Sequence, residues 1–307
     1  MPRRSPVRGA KACAWLAAWL VVPAGGVLAA GAPSAGSLPQ VSVGPQYDST
    51  HVYLRSADYD AFVHSFIATF GGKASERLTT TVTPVPSSTQ FQYLMTPVGT
   101  LSTFAFQTPV PYPFGLERTG WLVTDMDVAL QAARRAGAAV VVEKFKDPIG
   151  YDAVIEWPGG VRMQLYWHFS PPSYPPLVSV PENRIYLSPD SLQAFLRSFM
   201  PFAHGHILAD DARADAGEIG RVGQLYRRLR IDCGFGRLQL MVTDGHLPYP
   251  FGHEITGYEV ADLDATLARA QGSGAQVLSA RYDSPDRSSA VVQFPGGYVA
   301  EIHAARR

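Results

Sequence analysis

The side chains able to do chemistry come at strand-like spacings. Glu301 and His303 stand two apart, so an extended strand puts both on one face, a carboxylate beside an imidazole. Arg162, Gln164 and Tyr166 share a face by the same rule, and so do His51 and Tyr53. If those faces turn inward they form a polar, aromatic-walled cavity suited to an oxygen-rich or aromatic small ligand. His204-Gly-His206 has the spacing of a metal-ligating pair but no partners, and His246 and His253, flanking Pro248-Tyr-Pro-Phe251, read as surface histidines. The charges from Asp210 and Asp211 to Glu218, then Arg227, Arg228 and Arg230, read as a solvated hairpin. There is no Gly-x-Ser-x-Gly elbow and no phosphate-binding loop, and Gly234-Phe-Gly236 lacks the third glycine of a dinucleotide fingerprint. Hydrolase, nucleotide and hydride chemistries therefore lack support.

The whole chain is consistent with a small ligand. Among 307 residues, 26 Lys and Arg balance 26 Asp and Glu, which leaves no field to attract phosphate backbones or anionic lipid. Nucleic acid is not an expected partner, nor is a membrane beyond the N-terminal segment. There Arg3, Arg4, Arg8 and Lys11 precede an apolar run over 12–30 that ends in the small residues Ala30-Gly31-Ala32. Residues 1–32 read as a signal peptide, giving a periplasmic or secreted protein; the alternative is an uncleaved anchor over 12–30. Removal of the segment takes Cys13 with it and leaves Cys233, so no disulfide within the chain supports the fold.

The chain also repeats itself. PYPFGLERTGWLVTDMDVAL from Pro111 returns as PYPFGHEITGYEVADLDATL from Pro248, an offset of 137. Continued without a gap, the match gives roughly 22 identities over about 57 positions. A fainter echo relates HVYLRSADYDAFVHSF from His51 to RIYLSPDSLQAFLRSF from Arg184 at an offset of 133. Two copies, 47–169 and 182–303, are thus joined by a proline-rich linker, 170–181, expected to act as a stiff spacer. Each copy divides again. A strand over 51–54 precedes a helix whose Phe62, Val63, Phe66, Ile67 and Phe70 form one face, with strands over 79–83, 90–95 and 101–107. The second half repeats the order with a strand over 120–123, a helix over 127–136 and strands near 140–143, 153–156 and 161–166. Trp157-Pro-Gly-Gly and Phe294-Pro-Gly-Gly turn the last two strands of their modules.

Four βαβββ modules, the "TDMD..L..A...GA.VV" helix and the "PGG" hairpin resemble the vicinal oxygen chelate superfamily, which includes glyoxalase I, extradiol dioxygenases and bleomycin resistance proteins. The resemblance implies an α+β fold in which modules pair into two cupped-sheet domains around ligand cavities. It also implies a metal held by the first and last strands of each module, one divalent ion such as Fe, Zn, Ni or Mn with open positions for substrate oxygens. On those opening strands this chain carries His51, Gly120, Arg184 and Gly257, and on the closing strands of modules two and four Gln164 and Glu301. Sequential pairing of modules gives His51 with Gln164, and Arg184 with Glu301, neither a working metal site. Crosswise pairing would instead assemble His51, Glu301 and His303.

Two expectations follow. One is a metal-dependent lyase or dioxygenase, with Glu301 as ligand or base and Tyr53 or Tyr166 as orienting donor. The other is a metal-free binding or sequestering protein of the bleomycin-resistance type, in which Arg162, Gln164 or Arg184 hold the ligand. A chain that already carries four modules is expected to act as a monomer.

Overall fold

A computed structural model describes residues 37–306 of the chain, and the expected signal segment, 1–32, lies outside the described residues. The first copy holds β1 (Ser49–Tyr53), α1 (Tyr59–Phe70), β2 (Lys73–Ala74), β3 (Leu78–Thr80), β4 (Thr89–Thr96), β5 (Gly99–Phe106), β6 (Thr119–Leu122), α2 (Met126–Ala136), β7 (Ala139–Lys146), β8 (Gly150–Trp157) and β9 (Val161–His168). The second holds β10 (Glu182–Leu187), α3 (Pro189–Ala203), β11 (His206–Asp215), β12 (Leu225–Cys233), β13 (Gly236–Val242), β14 (Glu254–Glu259), α4 (Leu263–Gly272), β15 (Gln276–Asp283), β16 (Arg287–Gln293) and β17 (Val299–Ala305).

The repeated sequence makes repeated local structure. Asp125 and Asp262, the first aspartates of the two Asp-x-Asp motifs, cap α2 and α4 by accepting from the Val128 and Ala265 amides at 2.9 and 3.0 Å. α1 buries Tyr59, Phe62, Phe66 and Phe70, the face its spacing predicts, and ends at Gly71 with φ of 78°.

The strands form two mixed sheets. The first runs β2-β4-β5-β1-β6-β9-β8-β7, with β3 also on β4, and the second runs β11-β12-β13-β10-β14-β17-β16-β15. Modules therefore pair sequentially, and the opening strands meet antiparallel at the centre of each sheet, β1 on β6 and β10 on β14. The crosswise relation exists, but in the layer behind the sheets. One apolar core joins α1 to module four, where Phe66 packs 5.1 Å from Phe294 and 5.6 Å from Tyr258. The other joins modules two and three, with Trp121 stacked 4.0 Å from Phe235 and Trp157 edge-on to Phe199 at 5.5 Å. Neither copy encloses its own helical core, and the described residues 37–306 form a single unit. The linker is likewise no free spacer. The Val178 amide donates to the Pro97 carbonyl at 2.7 Å and the Gln46 side chain to the Pro175 carbonyl at 2.8 Å, which straps the segment to the first sheet. Among the described residues no helix is long and apolar enough to cross a membrane.

Candidate functional site

Side-chain alternation on β1 turns Ser49, His51 and Tyr53 into the concave face of the first sheet, while Thr50 and Val52 face the second sheet and the apolar core behind it. The glycine at the opening of β6 now has a reason. Gly120 lies between Ser49 on β1 and Gln164 on β9, and a Cβ there would run into His51 Nε2. Its counterpart Gly257 does the same for Glu301, whose Oε2 would sit 2.7 Å from an added Cβ. Both glycines make room for the residue that occupies the cup.

The first cup encloses a cavity of about 170 Å³. Its walls are aromatic. Tyr53 stacks on Phe104 at 5.0 Å, Phe91 packs on Phe104 at 5.4 Å and on Tyr93 at 4.7 Å, and Tyr174 of the linker strap lies 6.0 Å from Tyr93. The polar lining includes His51, Gln164 and Asp152, with no Lys or Arg. His51 is buried with Nδ1 unpartnered, its ring edge-on to Phe104 at 5.3 Å. Burial, reinforced by the charge of Arg118, lowers its pKa to about 3, so the imidazole is neutral under ordinary conditions. Burial and then the charge of Asp147 push the Asp152 carboxyl well above the usual carboxylate range and favour its protonated, donating form, against the opposing hydrogen bond of Gln164. Tyr53 gives its hydroxyl to Glu117 and Tyr166 gives its own to the Tyr47 carbonyl. Their rings are available to a ligand while their hydroxyls are engaged.

The second cup is filled instead of open. Arg184, at the position equivalent to His51, reaches Glu301 Oε1 at 2.7 Å, an ion pair too far off axis to be a hydrogen bond, and Glu218 Oε2 at 3.7 Å. Glu301 Oε2 meets His303 Nδ1 at 2.8 Å. Glu218 also takes Arg228 at 2.5 Å, and Glu182 takes Arg287 at 3.2 Å. Burial alone would raise Glu301, but Arg184 and then His303 outweigh it and hold its pKa at about 2. Glu218, expected in a solvated hairpin, is thus a buried member of this network because β11 and β12 fold its turn back over the cup.

The sequence-level candidates are therefore divided. His51, Tyr53, Gln164 and Tyr166 share the first cup, whereas Arg184, Glu301 and His303 share the second. The trio His51, Glu301 and His303 is not brought together, because sequential pairing puts β1 and β17 in different sheets. The proposed catalytic set of Glu301 with Tyr53 or Tyr166 is separated for the same reason. Arg162 pairs with Glu156 at 2.5 Å and donates to Tyr112 outside the cavity lining, and Arg184 is consumed by its network, so neither holds a ligand in the first cup. A metal does not fit either donor set. Among the described residues no three His, Cys, Asp or Glu side chains converge: the first cup's lining holds His51, His168, Asp147 and Asp152, which do not gather around one point, and in the second a guanidinium supplies the positive charge. Sequence reasoning missed Asp152, Phe104, Tyr93 and Tyr174. An aspartate inside the apolar β8 run Tyr-Asp-Ala-Val-Ile was the available signal for the first.

No family model matches the sequence, and no curated protein matches it. Solved structures do. A triple mutant of 4-hydroxymandelate synthase from Streptomyces coelicolor superposes with a TM-score of 0.59 at 12% identity, covering 87% of this chain and 94% of that one. The 2,2',3-trihydroxybiphenyl 1,2-dioxygenase from Sphingomonas wittichii strain RW1 gives 0.52 at 12% identity, covering 88% and 92%. At such identities the likeness is one of fold. With four βαβββ modules paired in order into two curled sheets, the chain has the fold of the vicinal oxygen chelate superfamily.

Proposed function

We propose that the first cup binds a single-ring aromatic compound carrying uncharged oxygen substituents, such as a phenol or a hydroxybenzaldehyde, without a metal ion. The supporting observation is the cavity of about 170 Å³, aromatic on its sides and lined at His51, Gln164 and Asp152 by polar groups with no cation among them. An apolar cavity of about 150 Å³ accommodates benzene, so the size suits one ring. The ring would lie among Phe91, Tyr93, Phe104 and Tyr174, and its oxygens would meet the unpartnered His51 nitrogen and the Asp152 carboxyl. Binding or sequestering is the activity this arrangement supports. The mature protein is proposed to act outside the cytoplasm after loss of residues 1–32, which N-terminal sequencing of the exported protein checks.

One feature favours a metal-dependent reading, the retention of His51 with a free Nδ1 at the opening-strand position. Two measurements separate the readings. Fluorescence titration of untagged protein with phenol and 4-hydroxybenzaldehyde should show saturable binding that benzoate does not match. Elemental analysis should find no stoichiometric metal. About one metal per chain, lost in His51→Ala, would overturn the metal-free reading, and absence of binding by any neutral aromatic would overturn the ligand class.

A further inference from the structure

A second cavity, of about 140 Å³, lies at the seam between the sheets, where β1 and Arg118 face the start of β14 and the turn before β17. Its polar lining differs from that of the cup. Arg118 is half-buried and makes no ion pair among the described residues; its Nη1 donates to the Gly115 and Glu117 carbonyls at 2.9 and 3.2 Å. Glu254 is buried, accepts only from the Thr119 hydroxyl at 3.4 Å, and leaves Oε1 without a partner.

The duplication sets the two equivalent glutamates apart by their hydroxyl donors. Glu117 occupies the same repeat position as Glu254 and accepts the Tyr53 hydroxyl through Oε1, with its Oε2 unpartnered outside the cavity lining. In the second copy the corresponding tyrosine, Tyr186, shares its hydrogen bond with Tyr249 at 3.1 Å, so Glu254 has lost that donor. An unpartnered buried carboxyl beside an unpaired guanidinium, both lining one cavity, is a pair of groups with unmet bonding capacity.

We propose that the seam cavity binds a small carboxylate anion, of acetate to lactate size, through the Arg118 guanidinium and the Glu254 carboxyl acting as a donor. A carboxylate takes charge-assisted bonds from both groups. The donor role requires Glu254 in its acid form, and burial raises its pKa to about 8 against the lesser opposing pull of Thr119 and Arg118. The other titratable groups around it do not supply a rival anion or cation at neutral pH: His51 is neutral, Tyr53 is bonded to Glu117, and Tyr298 shares its hydroxyl with Tyr258 at 2.8 Å. Glu117 is outside the cavity lining, its Oε1 held by Tyr53 and its carboxyl raised by burial.

The test is acetate binding to the full protein, followed by line broadening of labelled acetate at pH 6.5 and pH 9. Saturable binding is expected at the lower pH, weakened by about tenfold at the higher as the acid form of Glu254 is depleted. Glu254→Gln, which keeps a donor at every pH, should bind equally at both. Arg118→Met should lose binding at both while its thermal melt stays that of the parent. No binding at pH 6.5, binding that survives Arg118→Met, or equal displacement by chloride would overturn the assignment, since the last requires only a lone cation.

Discussion

The two cups share a backbone plan and differ in what stands at its centre. At matching positions the first carries Ser49, His51, Asp152, Gln164 and Tyr166, and the second Glu182, Arg184, Ser289, Glu301 and His303. In the first, groups that burial keeps neutral leave an open space between aromatic walls. In the second, long charged side chains reach one another and close it: three arginines, Arg184, Arg228 and Arg287, against three glutamates, Glu182, Glu218 and Glu301. The lesson concerns desolvation. A buried charge holds its place only with a partner, so charging one centre obliges the surrounding strands to supply opposite charges, and those fill the room a ligand would need.

The largest effect should come from breaking the closed cup. Arg184→Met leaves Glu301 and part of Glu218 uncompensated, and chemical denaturation should show a loss of about 3–5 kcal/mol. His51→Phe in the open cup should be far milder; an equal loss would mean that both centres are structural.

Acid should next separate the cups by window. The pKa of His51 falls from 6.5 unfolded to about 3 folded, so its contribution to stability is complete above pH 6.5 and is lost as pH drops toward 3. Glu301 falls from 4.5 to about 2, so its contribution is complete above 4.5 and is lost as pH drops toward 2. Each is worth a few kcal/mol in order of magnitude. Denaturation across pH should show His51→Phe removing the decline between 6.5 and 4.5, and Glu301→Gln, less stable throughout because Arg184 loses its partner, removing only the decline below 4.5. A single decline confined below 4.5 would assign the acid sensitivity wholly to the second cup.

A smaller effect is expected on binding. Gln164→Leu should weaken phenol binding by about tenfold, near 1.4 kcal/mol, with little change in melting temperature. The smallest belongs to Arg162→Ala, which breaks a partly exposed pair with Glu156 and should change stability by less than about 1 kcal/mol and phenol affinity not at all. A marked affinity loss there would return Arg162 to the site.

Much of the fold was legible because its signals are local. The recurring Asp-x-Asp caps, the Pro-Gly-Gly turns and the phenylalanine period of α1 each specify an element within a few residues. Alternation also placed His51 with Tyr53, and Gln164 with Tyr166, on inward faces. Tyr174 was not legible, since a proline-rich segment gives no sign of which surface it will cross, and Glu218 was not, since its charge pattern is that of an exposed turn.

The sequence by itself determined the duplication, the four modules and the residue types at each cup's centre, because repeats and side-chain periodicity are properties of the chain alone. Only the tertiary structure decided which modules share a sheet and which share a core. Sheet pairing is sequential and helix packing crosswise, and both patterns present the same apolar stripes to a reader of the sequence. That choice keeps His51 apart from Glu301 and leaves one cup open and the other closed by its own charges.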